Sequence, residues 1–234
     1  MQNYQSLFQK IGFDLPDTEL LKEAFTHRSA VNENNQYAKH NERLEFLGDA
    51  VLELVTTEFL FQKFPEKPEG ELTNLRSALV KGDHLAQVAK KLDLGKYLLL
   101  SKGEERSGGR TKEYLLANVV EAFIGAIYQI TTLAKAKKFI KQYVLCDLES
   151  IMESRSHIDA KSEFQELAQA KNMITPTYKV IGESGLDHDK TFIIGAYLGD
   201  IQCGKGQGRS KKEAQNAAAQ NALKKQKKWL PKEA

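Results

Sequence analysis

Residues Asn41 to Asp49, Asn-Glu-Arg-Leu-Glu-Phe-Leu-Gly-Asp, constrain this chain more than any other stretch. Glu42, Glu45 and Asp49 are spaced three and four residues apart, which on an α-helix stacks their carboxylates on one face. Leu44, Phe46, Leu47, Ala50, Val51, Leu52, Leu54 and Val55 surround them, so the same helix must be largely buried. Three acids lined up on a buried helix repel one another unless a positive charge sits among them. Every candidate ligand is an oxygen, which points to a hard divalent cation.

A second polar pair, Asn118 and Glu121, interrupts the most apolar stretch of the chain at helical spacing. Glu121 is flanked by Val119, Val120, Ala122 and Phe123, where a carboxylate is rarely left simply solvated. If the two helices pack face to face, Glu45 and Asp49 meet Asn118 and Glu121 as a four-oxygen cage, the way helix bundles build metal sites. Oxygen ligands with room left for water favour Mg²⁺ or Mn²⁺, ions that polarise a phosphate and activate a water. The competing reading pairs these groups with Arg43 or lysines, or leaves them on solvated faces. Glu69 falls in the turn Pro65 to Gly70, where a glutamate is ordinarily just solvated. His27 reads as a core or capping histidine, because neither a serine nucleophile nor a paired base is spaced around it.

Periodicity makes residues 1–153 all-helical. Asp17 is the cap of a first amphipathic helix, and residues 32–36 read as a loop. The acidic helix runs from about His40 to Phe61 and stops at Phe64-Pro65. Further helices start near Glu71 and at Asp83. Residues 103–110 form an exposed loop, and one amphipathic helix covers roughly 133–153. Residues 154–158 are a polar linker. From 159 to 228 the order is α-β-β-β-α. Asp159 caps the first helix, strands span 177–181, 191–197 and 201–205, Gly199-Asp200 makes a hairpin turn, and Ser210 caps an alanine-rich helix. The chain frays from Lys224, and residues 229–234 are a tail.

The net charge of +3 conceals an asymmetry. Residues 1–153 carry 20 Lys and Arg against 22 Asp and Glu, whereas residues 154–234 carry 14 against 9. Lys211 and Lys212 stand in the first turn of the last helix, where they oppose the helix dipole unless a phosphate sits with them. Gly206 and Gly208 read as a glycine turn that lets an anion approach the backbone. A second polar cluster, Gly185 to Lys190, contains His188, and a third puts Ser162, Gln165 and Glu166 on one helix face. Three separated hydrogen-bonding patches suit double-stranded RNA, whose wide minor groove displays 2′-hydroxyls. Cys146 and Cys203 fit neither a zinc pattern nor a disulfide framework, which suits reduced cytoplasmic thiols. Met1 to Ser6 lacks the pattern of a signal peptide and no apolar run reaches bilayer length, so no membrane partner is expected.

Taken together these motifs resemble those of bacterial ribonuclease III. Asn41 to Asp49 followed by Ala50-Val51-Leu52 is similar to the family signature. Thr26 to Ser29, Glu69 to Thr73, Ser107 to Gly109 and Leu116 to Ala122 follow in family order. The C-terminal part resembles the double-stranded-RNA-binding domain, with Gly185-x-x-His188-x-x-x-Phe192 and Ser210-Lys211-Lys212-x-Ala214 in place. The resemblance implies an all-α endonuclease domain over 1–153 and a small α+β double-stranded-RNA-binding domain over 159–228. It implies a cytoplasmic homodimer that needs Mg²⁺, with Mn²⁺ able to substitute, and no organic cofactor. Such an enzyme hydrolyses phosphodiesters in both strands of double-stranded RNA, leaving 5′-phosphate and 3′-hydroxyl ends, in ribosomal and messenger RNA processing. By motif matching, Glu45, Asp49, Asn118 and Glu121 correspond to the metal site, Asp49 and Glu121 being catalytic with Glu42 and Glu69 as supporting acids. Phe46 corresponds to a dimer-interface residue, and Ser162, Gln165, Glu166, His188, Lys211 and Lys212 to RNA contacts. Two positions depart from the pattern: Leu186 stands where the family usually has proline, and Asn118 where it usually has aspartate. Asn118 still offers a carbonyl oxygen but removes one negative charge from the cage. It opens an alternative, a double-stranded-RNA-binding protein with impaired catalysis.

Overall fold

The computed structural model describes residues 4–16, 18–33, 38–154, 160–172, 174–185 and 190–230. The chain divides into two units, Met1–His157 and Ile158–Ala234. Among the described residues the first unit is helical: α1 (Gln5–Ile11), α2 (Glu19–Ala24), α3 (Arg28–Glu33), α4 (Glu42–Lys63), α5 (Glu69–Val80), α6 (Gly82–Lys91), α7 (Lys102–Arg106), α8 (Glu113–Ile130), α9 (Leu133–Tyr143) and α10 (Leu148–Glu153). Helix α8 is apolar nearly all round, with Leu115, Leu116, Val119, Val120, Phe123, Ile124 and Ile127 all buried, as befits a central helix. An aromatic chain runs through this core, Phe25 to Phe123 and Phe123 to Phe139, with ring centroids 5.5 and 5.4 Å apart. Among the described residues no helix is long and apolar enough to cross a membrane.

Local chemistry moves several boundaries from where periodicity puts them. Thr18 caps α2, its Oγ1 accepting the Leu21 N–H at 3.2 Å; Asp17 lies outside the described residues. Residues 32 and 33 belong to α3, and 34–37 lie outside the described residues. Helix α5 begins at Glu69 rather than Glu71, because the Pro68 carbonyl already accepts the Glu71 and Leu72 N–H groups. Residues 103–110 are not simply a loop. Ser101 caps α7 by accepting the Glu104 N–H, and the Arg110 guanidinium donates to the carbonyls of Gly95 and Leu98 at 3.0 and 2.8 Å. The single helix expected over 133–153 is two. A 3-10 turn at Leu145–Asp147 separates α9 from α10, and His84 Nε2 pairs with the Val144 carbonyl at 3.1 Å where that turn begins.

The second unit contains α11 (Ala160–Asn172), β1 (Thr177–Ser184), β2 (Thr191–Leu198), β3 (Ile201–Gly208) and α12 (Lys211–Lys224). The sheet is antiparallel in the order β1-β2-β3, and Gly199 takes φ 59° in the turn between β2 and β3. Ser210 caps α12, accepting the Glu213 N–H at 3.2 Å; Asp159 lies outside the described residues. Gly206 and Gly208 belong to β3 and do not form a turn for an anion. With Gly204 they leave a side-chain-free row on which α12 rests: a Cβ on Gly208 would lie 2.6 Å from the Ala214 nitrogen, and one on Gly204 2.9 Å from Ala222 Cβ. The expectation of fraying from Lys224 also fails. Trp229 is buried, stacks edge-on to Phe164 at 5.1 Å, and its Nε1 donates to the Ala222 carbonyl at 2.8 Å. A large aromatic with one polar atom closes the end of a small core well, which periodicity in a lysine-rich stretch does not reveal. Residues 231–234 lie outside the described residues.

Candidate functional site

The approach to α4 is held from both sides. The Asn41 N–H donates to the Thr26 carbonyl at 2.9 Å, and the His27 N–H donates to the Leu99 carbonyl at 3.0 Å. Asn41 is buried, and its carbonyl accepts the Glu45 N–H at 2.8 Å, starting the helical ladder. From there α4 crosses α8 at a pair of glycines. A Cβ on Gly48 would overlap the Glu121 carbonyl and lie 2.8 Å from the Gly125 nitrogen, and a Cβ on Gly125 would overlap the Leu44 carbonyl. Ala122 and Ala126 complete the small-residue crossing, with Leu44 in the same apolar cluster. This backbone contact sets Glu45 and Asp49 on α4 against Asn118 and Glu121 on α8.

The electrostatics agree with that placement. Asn118 hydrogen-bonds the Glu45 carboxylate, favouring its charge, yet burial and the neighbouring Glu42 and Asp49 still push the Glu45 carboxyl up. Glu121 is pushed up to about 7, by burial first and then by Asp49 and Glu45. Among the described residues neither Arg43 nor any lysine forms an ion pair with Glu45, Asp49 or Glu121. The three acids therefore face one another uncompensated. Nor do three or more His, Cys, Asp or Glu side chains close round one point among the described residues. The donor set is all oxygen, two carboxylates from α4 and one carboxylate and one carboxamide from α8, and it fits a hard divalent ion better than a transition metal.

Glu42 is one turn before Glu45 and exposed, with its carboxylate 3.6 Å from Arg28 Nη1 and 3.8 Å from His40 Nδ1. Glu42 and Arg28, with Glu45 and Asn118, line a cavity of about 360 Å³ that also takes in His27, Glu104 and Tyr114. His27 is a capping residue as expected: its Nδ1 lies 2.8 Å from Ser29 Oγ and 3.3 Å from the Ser29 nitrogen, at the start of α3. Burial holds its pKa below the usual value against the pull of Glu104. Glu104, held at 2.7 Å by Lys112, and Tyr114 were not singled out from sequence; nothing in their spacing links them to the acidic helix.

Glu69 is not brought to this cluster within one copy of the chain. It is exposed at the start of α5, accepts from Thr73 Oγ1 at 3.0 Å, and shares a cavity with Thr57, Phe61 and Arg76 near the far end of α4. Twelve residues separate Glu45 from Thr57, about 18 Å of helix. Phe46 is 80% exposed, and Leu54 and Phe61 on the same helix are 57% and 71% exposed.

In the second unit Ser162, Gln165 and Glu166 lie exposed on α11. Lys211 and Lys212 are exposed in the first turn of α12, with Lys211 Nζ 5.7 Å from the centre of the Phe192 ring. His188 and Leu186 lie outside the described residues.

A family profile described as ribonuclease-III-like matches residues 17–148, and one for the double-stranded RNA binding motif matches residues 160–226. Ribonuclease 3 of Enterococcus faecalis is 46% identical over 220 residues, covering 93% of this chain and 95% of its own. Ribonuclease 3 of Nitratiruptor sp. is 45% identical over 229 residues, covering 96% and 97%. A crystal structure of the nuclease domain of ribonuclease III from Campylobacter jejuni superposes with a TM-score of 0.57 at 40% identity, covering 63% of this chain and 97% of that one. A second structure from the same organism, described as showing flexibility in the region involved in dimer formation, matches at 41% identity and the same TM-score, covering 61% and 96%. With both modules matched in order and the similarity running nearly end to end, the chain belongs to the ribonuclease III family.

Proposed function

We propose that this chain is a divalent-metal-dependent endoribonuclease that hydrolyses phosphodiesters in both strands of double-stranded RNA. The observation that carries the reading is the glycine crossing of α4 and α8, which sets Glu45 and Asp49 against Asn118 and Glu121 with no cationic side chain paired to the three acids among the described residues. These four residues would hold Mg²⁺, or Mn²⁺ in its place. When bound, such an ion polarises a phosphodiester and lowers the pKa of water beside it. The protein's own part is positioning. Asn118 orients Glu45 and favours its charged form, Glu121 releases its proton near neutral pH, and Arg28 in the cavity lining presents a guanidinium to phosphate oxygens. Glu42 holds Arg28 there.

The exposed Phe46, Leu54 and Phe61 on α4 favour a homodimer formed across that helix, since several large apolar side chains exposed along one helix mark a protein-contact surface. A two-fold dimer gives one site to each strand of a duplex, and Glu69 then has a role only through that assembly. Ser162, Gln165, Glu166, His188, Lys211 and Lys212 contact the RNA. The endonuclease domain is taken as 1–153 and the RNA-binding domain as starting at 159, its end moved past 228 to include the buried Trp229. Free Cys146 and Cys203 suit the cytoplasm, and ribosomal precursors and messenger hairpins are the substrates that family membership suggests.

Incubating the chain with long duplex RNA across a Mg²⁺ and Mn²⁺ series tests the reading. Cleavage that leaves 5′-phosphate and 3′-hydroxyl ends is expected. Tight RNA binding with no cleavage at any metal concentration would leave the RNA-binding alternative in its place.

A further inference from the structure

Two lysines that follow α12 and one on β3 line a cavity at the opposite end of that helix from Lys211 and Lys212. Lys205, Lys225 and Lys228 line a space of about 320 Å³, walled by Cys203 and Trp229. Helix α12 runs antiparallel to β3, with Gly208 against Ala214 and Gly204 against Ala222, so this cavity lies at the opposite end of the helix from Lys211 and Lys212. The 14 residues of α12 put about 20 Å between the two ends.

The cavity is built rather than accidental. Residues Gln226–Lys228 form one turn of 3-10 helix, and the buried Trp229 ties that turn to the Ala222 carbonyl. The Lys205 N–H is held by Asn221 Oδ1 at 3.2 Å. Among the described residues none of the three ammonium groups has a carboxylate partner, whereas lysines of the first unit such as Lys90, Lys91 and Lys112 do. The helix dipole accounts for a lysine near the end of α12, but Lys205 stands on a strand and Lys228 lies past the helix. Three uncompensated cations round one concavity repel one another and attract an anion.

We propose that this cavity is a second phosphate site, which takes the backbone of a single-stranded RNA extension flanking the duplex held at Lys211 and Lys212. A flexible single-stranded extension of a duplex gripped at Lys211 and Lys212 spans the distance of about 20 Å to this cavity. The proposal rests on the reading of the second unit as an RNA-binding domain, and its test separates the two.

The full chain is titrated with a blunt duplex and with the same duplex carrying a single-stranded 3′ extension, over a range of salt. The extension raises wild-type affinity. In Lys205→Ala/Lys225→Ala/Lys228→Ala that gain is lost, and the salt slope for extended RNA falls by about 2, while blunt-duplex affinity stays within about twofold. The corresponding triple arginine variant keeps the gain, which separates lost charge from a damaged fold. Wild-type affinity and slope for extended RNA in the triple alanine variant would overturn the proposal. So would an equal loss on both RNAs, which would make the cavity part of the duplex face. Inorganic phosphate that shifts the Trp229 indole NMR signal only in wild type, with RNA binding unaltered, would also overturn it in favour of a free-phosphate site. Lys211→Ala/Lys212→Ala addresses the underlying reading instead: if blunt-duplex binding survives that change, the RNA-binding reading fails whatever the cavity does.

Discussion

Burial and the charges of Asp49 and Glu45 push the Glu121 carboxyl up to about 7 from 4.5, so the folded chain holds this proton more tightly than the unfolded chain. The stability it contributes is full below pH 4.5, is lost as pH rises towards 7, and stays lost above. With partial solvent screening the loss amounts to about 1–2 kcal/mol. Thermal melting without divalent metal should therefore show Tm falling between pH 5 and 8, and Glu121→Gln should flatten that fall. Added Mg²⁺ should raise the wild-type Tm more at pH 8 than at pH 5, because the ion competes with the proton for the same oxygens. Asn118 works in the same cage. Asn118→Asp replaces a donor to Glu45 by a fourth carboxylate, so metal-free stability at pH 8 should drop by about 1 kcal/mol. Mg²⁺ affinity should rise, and maximal cleavage should move to lower Mg²⁺. Equal Mg²⁺ titrations for the two proteins would show that the lost charge is compensated elsewhere.

Helices α4 and α8 make a site because two glycines let their backbones touch. Gly48→Ala forces a methyl group into the Glu121 carbonyl, and overpacking of this kind costs about 3 kcal/mol or more. Its Tm should fall by about 10 °C, with weakened Mg²⁺ binding because Glu45 moves away from Asn118. Gly70→Ala is the control: on α5 nothing lies within 4 Å of its Cβ, and the change should stabilise by about 0.5 kcal/mol. A similar loss in both variants, measured by denaturant melts, would remove the crossing as the cause. The same crossing shows what the sequence could and could not convey. Carboxylate spacing on α4 and the polar pair inside apolar α8 are local patterns, and both survive in three dimensions. The roles of Gly48, Gly125, Gly204, Gly206 and Gly208 are contacts between distant segments; a glycine that receives a helix reads like one in a turn. Glu104 and Tyr114 reach the cavity only through the packing of α7 and α8 around it, and Trp229 is buried by a core to which its own lysine-rich neighbourhood gives no clue.

Each unit has its own apolar core, one running through Phe25, Phe123 and Phe139 and the other through Phe164, Ile194 and Trp229. On the proposed reading chemistry and affinity reside on separate cores, and they should be separable by substitution. Glu121→Ala removes an oxygen from the cage and should abolish turnover while duplex affinity stays within about twofold, because Lys211 and Lys212 belong to the other unit. Lys211→Ala/Lys212→Ala removes two ammonium groups from the first turn of α12 and leaves the Ser210 cap and the glycine row beneath the helix intact. Duplex binding should weaken, and the slope of log affinity against log salt should become shallower by about 2, since each neutralised phosphate contributes about 0.9. At saturating RNA its rate of cleavage should return to that of the unsubstituted chain. An unchanged salt slope would place the phosphates elsewhere on the unit. A saturating rate that stays low would mean that the lysines also position the scissile bond, so that the two cores do not act independently.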